Sequence, residues 1–217
     1  MQYSDGDAVI MDLSKYFNVD PAVGVLLVDA ELRIHFINHR SAELFAPVDG
    51  KMTIGASLWD LFPESWARER ERIYQKALGE HRTLVIRHIR RAKRVQSTCH
   101  PIYGEEDDPQ ALLVFTVAGE TEVPEEDSEL EVIESGVVDL GPLDRLTRRE
   151  LEVLALVGHG MGREQIARTL YRSPKTVDNH MAAISAKLGS ANRAELVKIA
   201  STAGLRVEHA DLPRTHE

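Results

Sequence analysis

Cysteine occurs once in these 217 residues, at Cys99, and aromatic side chains make up only 6% of the chain. A single thiol excludes an internal disulfide framework and a cysteine-rich zinc site, and it suits a reducing cytosol. No apolar run reaches the roughly 20 residues that cross a bilayer. The segment Met1-Gln2-Tyr3-Ser4-Asp5 has neither the basic start nor the long apolar core of a secretory leader, so the expectation is a cytoplasmic protein with no membrane partner. Against these absences stands a hydrophobic content of 43%, enough for ordinary cores, in a length that suggests one or two domains.

Basic residues are absent from one stretch altogether. Between Glu120 and Asp139 there are nine acidic residues and no Lys or Arg, with Pro124 and Ser128 inside the run. Such a segment reads as a solvated linker, although Leu130, Val132 and Ile133 could support a short helix there. The chain is thereby divided into an extension at 1–19, a first domain at 20–118, an acidic linker at 119–140, a second domain at 141–206 and a tail at 207–217.

The second domain reads as helical throughout. Leu151, Leu154, Ala155 and Val157 recur at helical spacing until Gly158 and Gly160 end the run. Another helix begins near Gly162 with Ile166, Ala167 and Leu170 on one face, and Tyr171-Arg172-Ser173-Pro174 breaks it. Ser173 is a good N-cap and Pro174 suits the first helical position, since a serine hydroxyl accepts an orphan backbone N–H and proline has none to lose. In the helix that follows, Val177, Met181, Ile184 and Leu188 form the stripe expected to be buried.

The opposite face of that helix carries Lys175, Asp178, Asn179 and Ala182. These are short or polar side chains near a helix N-terminus, the part of a helix that meets base edges when it lies in a major groove. Asn pairs with adenine in bidentate fashion, Asp accepts from cytosine, and Lys reaches guanine or a phosphate. Thr176, His180 and Lys187 are better placed for the DNA backbone, and Ser173 and Arg193 complete the candidate set. Residues 141–206 hold 11 Lys+Arg against 6 Asp+Glu, a basic module on a chain whose formal net charge is −9. This is the electrostatic footprint of a protein only part of which meets phosphate.

Leu146-Thr147-Arg148-Arg149-Glu150-Leu151-Glu152-Val153-Leu154, Ile166-Ala167, Ser173, Thr176-Val177, His180, Lys187-Leu188-Gly189 and Asn192-Arg193-Ala194-Glu195-Leu196-Val197 together resemble the DNA-binding domain of the LuxR family of bacterial transcription regulators. The likeness covers residues 144–204. It implies a four-helix helix-turn-helix domain, duplex DNA as partner, a fourth helix often used for dimerisation, and RNA polymerase as a further partner. Asp178 departs from the family, where lysine is frequent after Thr-Val, so no target sequence transfers.

In the first domain, Val23-Gly24-Val25-Leu26-Leu27-Val28-Asp29 and Ile34-His35-Phe36-Ile37-Asn38 read as a hairpin around the turn Asp29–Leu32. A short helix at 40–44 and a longer one at 63–78 follow, the latter turning Trp66, Ile73, Tyr74 and Ala77 to a core. Strands near 82–90, 93–101 and 110–118 complete an antiparallel five-stranded sheet with helices on one face, an α+β layer pair. Gly24 to Asp29, Ile37-Asn38, Leu44-Phe45, Leu61-Phe62 and Leu112 to Val117 make this domain similar to a PAS domain. That resemblance implies a sensor with a small-molecule or partner site between sheet and helices.

Neither flavin nor haem is expected as cofactor. A flavin photosensor of this kind needs a reactive cysteine on a helix, whereas Cys99 falls in a strand and reads as structural. Haem needs an axial histidine on the long helix, which has none before His81. His35, His88 and His100 lie on strands without metal-ligand spacing, so no metal site is expected. The basic run Arg87 to Arg94 reads as a solvated strand and turn, or as a dock for the acidic linker. Parallel-stranded receiver domains and longer lactone-binding domains fit the strand order and length less well.

The sequence thus points to a non-enzymatic, DNA-binding transcription regulator acting as a homodimer, with a PAS-like sensor ahead of the DNA reader. The competing reading is a protein-interaction module whose helices dock a co-regulator.

Overall fold

The computed structural model describes residues 20–45, 52–104, 109–119 and 130–215. The expected extension at 1–19 and most of the acidic run at 120–129 lie outside them. The chain divides into two compact units, one drawn from residues 1–87 and 95–135, the other from 88–94 and 136–216.

The first unit opens with the expected hairpin, β1 (Gly24–Asp29) and β2 (Ile34–Ile37). Asp29 closes its turn by accepting from the backbone N–H of Glu31 and Arg33 at 3.0 and 2.8 Å, the side-chain mimicry of a backbone turn that aspartate favours. Asn38 then locks the hairpin to α1 (His39–Phe45): its Oδ1 accepts from Val25 and Ser41, each at 2.9 Å, and its Nδ2 donates to Val23 O. After α2 (Leu58–Leu61), α3 (Glu64–Gly79) buries Trp66, Arg70, Ile73, Tyr74 and Ala77 along one face.

Strands β3 (Leu84–Arg90), β4 (Lys93–Tyr103), β5 (Pro109–Ala118) and β6 (Glu131–Glu134) complete a six-stranded sheet in the order β2-β1-β5-β4-β3-β6. Five antiparallel strands were expected, and the sixth corrects that count. It also corrects the linker: residues 131–134 form neither open chain nor helix but a strand pairing parallel to β3, Leu84 with Glu131 through Arg87 with Glu134. The edge of β3 offers unpaired backbone groups, and the ladder satisfies them. Flanking ion pairs, Lys76 and Arg82 with Glu131 and Arg87 with Glu134, are partly exposed and contribute little beside that ladder.

The second unit is helical, with α4 (Arg148–Gly158), α5 (Arg163–Thr169), α6 (Pro174–Leu188) and α7 (Arg193–Ala203). Helix α4 is central, buried at every position from Glu150 to Val157, and its Leu151 and Leu154 pack in one cluster with Ile166, Val177, Ile184, Leu196 and Ala200. Gly158 lets α7 approach closely, since a Cβ there would lie 2.6 Å from that of Ala200. Two further segments belong to this unit. Residues 88–94 contribute Ile89 to the same core, with Arg90 donating to Asp139 at 2.8 Å and Asp139 N–H donating to Ile89 O at 3.1 Å. The basic run is therefore docked on the end of the acidic segment. The residues expected as a tail fold back instead: Val207–Ala210 form a 3-10 turn with His209 and Ala210 buried, and Thr215 N–H donates to Val138 O.

Candidate nucleic-acid interface and sensor cavity

Helix α6 starts as its sequence dictates, with Ser173 Oγ accepting from Thr176 N–H at 3.1 Å and Pro174 in the first turn. It ends at Gly189, whose φ of 67° is the left-handed geometry that glycine adopts without strain. Val177 and Ile184 are fully buried beneath it, and Met181 and Leu188 are half-buried against the same core. Lys175, Asp178, Asn179 and Ala182 are exposed on the outer side, with Thr176 and His180 half-buried beside them. Asp178 is not a bare negative charge, because Arg163 donates to it at 3.2 Å.

Two candidates, Lys187 and Arg193, make side-chain contacts within the helical unit. Lys187 Nζ donates to Glu150 Oε2 at 2.6 Å, and Glu150 is also the capping-box carboxylate of α4, accepting from Thr147 N–H at 2.7 Å. Burial alone would raise the Glu150 carboxyl, but the hydrogen bonds from Lys187 and Thr147 hold it below its usual range. Arg193 donates to Met161 O and to Met181 Sδ, bracketing the loop before α5 against α6.

A basic cleft of about 450 Å³ is lined by Arg148, Arg149, Glu152, Arg172 and His180, of which only His180 is among the residues the sequence marks as candidates. Arg149 is fixed there by Glu152 and by Leu170 O at 2.6 Å, and Arg148 by Asp211 at 2.9 Å. Arg172 is exposed and makes one long hydrogen bond, to Tyr171 O at 3.4 Å. Beside it Tyr171 is 90% exposed on a backbone of φ 53°. The Arg148-Arg149 pair was visible in the sequence but was absorbed into a helix-opening motif.

In the first unit, Leu26, Ser97 and Val114 of the sheet and Phe45, Met52, Leu58, Trp66, Arg70 and Tyr74 line a small cavity of about 10 Å³. Cys99, on β4, is fully buried, and burial pushes its thiol up to about 12. Among the described residues no three His, Cys, Asp or Glu side chains converge to hold a metal, and no helix is long and apolar enough to cross a membrane.

Residues 144–200 match the family model of bacterial regulatory proteins, luxR family, and residues 18–118 match that of the PAS fold. The oxygen regulatory protein NreC of Staphylococcus aureus (strain JH9) is 44% identical over 59 residues, 27% of this chain and 27% of that protein. The match thus spans about a quarter of the length of that curated relative. Among solved structures, the Vibrio cholera VqmA-ligand-DNA complex aligns with a TM-score of 0.48 at 18% identity, covering 91% of this chain and 89% of that one. The phage VqmA-DPO complex aligns with a TM-score of 0.47 at 18% identity, covering 92% and 91%.

Proposed function

Given that residues 18–118 carry a PAS fold and residues 144–200 a luxR-family domain, we propose that this protein is a sequence-specific transcription regulator whose PAS domain controls its hold on DNA. The observation that carries the reading is the two-sided character of α6, buried at Val177 and Ile184 and exposed at Lys175, Asp178, Asn179 and Ala182. An exposed polar face near the helix N-terminus is what a major groove receives. Lys175, Asp178 and Asn179 meet base edges, while Ser173, Thr176, His180 and Arg172 meet the phosphates on either side. Lys187 and Arg193 hold the reader together.

The protein acts in the cytoplasm as a homodimer on half-sites related by a two-fold axis, about one helical turn apart. A small molecule or partner that binds one arrangement of the PAS domain better than another shifts the population that binds DNA. The test is selection of binding sequences from random duplex DNA with the full chain, followed by footprinting and a salt titration. A paired, inverted site bound with steep salt dependence is the expected result. A folded protein that selects no sequence and ignores salt would favour the co-regulator dock instead.

A further inference from the structure

Arg163 and Asp178 form an ion pair that neither of their helices needs. The start of α5 is already capped, Gln165 Oε1 accepting from Gly162 N–H at 2.7 Å, and the start of α6 is capped by Ser173. Arg163 Nη1 donates to Asp178 Oδ2 at 3.2 Å, while its Nε and Nη2 donate to Glu164 Oε1 at 3.3 and 2.9 Å. The Arg163 and Asp178 side chains are 51% and 49% exposed, and an ion pair so open to water contributes little to folding. Asp178 stands with Lys175, Asn179 and Ala182 on the exposed side of α6, so the purpose of the pair lies in what that side meets.

A bare carboxylate at a DNA surface is repelled by phosphate, and both of its oxygens are open to any donor. Arg163 changes both conditions. Its guanidinium offsets the charge, and by engaging Oδ2 it leaves Oδ1, which has no hydrogen-bond partner among the described residues, as a single acceptor. Glu164 engages the same guanidinium, so Arg163 supports Asp178 rather than reaching for phosphate. A lone acceptor in a major groove reads donors, and the only donors there are the amino groups of cytosine N4 and adenine N6. Adenine sets its N7 acceptor beside that amino group, which disfavours a carboxylate. Guanine and thymine present acceptors alone, so cytosine is the base that remains.

We propose that Arg163 is the positioning residue of a two-part base reader, holding Asp178 Oδ2 so that Oδ1 accepts from the N4 amino group of a cytosine in the major groove. The proposal rests on the reading of α6 as the helix that enters DNA, and it adds the base selected and a residue outside α6 on which the selection depends.

The experiment selects binding sites from random duplex DNA with the full-length chain and with Asp178→Ala, Asp178→Asn, Arg163→Ala and Arg163→Lys. The parent is expected to favour cytosine about tenfold at one position where Asp178→Ala accepts every base, the other positions being unchanged. Asp178→Asn should move that preference to adenine, whose N6 and N7 suit an amide. Arg163→Ala should lose most of the same preference although Asp178 is still present, and Arg163→Lys, which can still donate to one carboxylate oxygen, should restore most of it. A loss confined to one position, with rescue by lysine, is not what general damage to the fold or a lost phosphate contact produces. Three results overturn the proposal. In the first, Asp178→Ala tightens binding to all sequences alike, which would make the pair a mask for charge. In the second, the position that changes is not cytosine in the parent, and in the third, Arg163→Ala keeps the full preference. A chain that selects no sequence at all fails the regulator reading, whereas one that selects a site indifferent to Arg163 and Asp178 fails this assignment alone.

Discussion

Lys187 and Glu150 are joined at 2.6 Å, tying the last turn of α6 to the first turn of α4. The carboxylate is 5% exposed and the lysine is its only side-chain cation within ion-pair distance among the described residues. Lys187→Ala should therefore act on stability more than on DNA, leaving a buried carboxylate short of its counter-charge. The expected loss is about 1–3 kcal/mol in urea unfolding. The Glu150 carboxyl is held below its ordinary 4.5, so its stabilisation is complete above that pH and fades as acid protonates the folded form. The variant should show a shallower acid limb than the parent, and parallel limbs would remove Glu150 from this role.

The proposed base-reading and phosphate-contacting residues are separable by mutation. Asn179→Ala is expected to relax preference at one base position, a loss of roughly 1–3 kcal/mol against the best site alone. Arg172→Ala should weaken all sequences alike and lower the slope of log affinity against log salt by about one. Both residues are exposed, so thermal unfolding should not change in either variant. Binding-site selection on the two proteins checks this, and equal losses across all sequences for both would undo the assignment of Asn179.

How much of this was readable in advance depended on distance along the chain. Thr147, Ser173 and Asn192 cap helices that begin within three residues of them, and the hairpin turn is closed by Asp29 within four. Such signals are local, and the sequence exposes them. Strand β6 was missed because its partner lies 47 residues away, from Leu84 to Glu131, and its acidic composition argues for solvent until the cations of Lys76 and Arg82 are seen beside it. Arg70 was missed for the opposite reason: charged residues surround it in Arg68-Glu69-Arg70-Glu71-Arg72, and nothing in that run marks the one that turns inward.

His209 gives a second pH dependence with a different origin. Burial first, then the charge of Arg206, lowers its imidazole to about 4, and Arg206 N–H donates to its Nδ1 at 3.0 Å, so the folded state holds the neutral ring. An unfolded chain takes up the proton near 6.5. Stability is therefore complete above pH 6.5 and falls as pH drops toward 4, by on the order of 2 kcal/mol. His209→Gln should flatten this window in a series of denaturant titrations, and an unchanged slope between pH 6.5 and 4 would argue against a neutral buried ring.

Cys99 is fully buried with its thiol raised to about 12, so almost no thiolate is present at neutral pH. Alkylation by iodoacetamide should proceed only after unfolding, with mass spectrometry as the readout. Rapid labelling of the native protein would show that the strand opens.

The short stretch 88–94, expected from the sequence to belong to the first domain, supplies Ile89 to the core of the helical unit and Arg90 to Asp139. The helical unit is consequently discontinuous in sequence. A fusion that transplants residues 136–216 onto another domain leaves behind part of the helical unit's own interior. Recombination that exchanges the first unit would have to carry residues 88–94 along, or rebuild their fit in the new host.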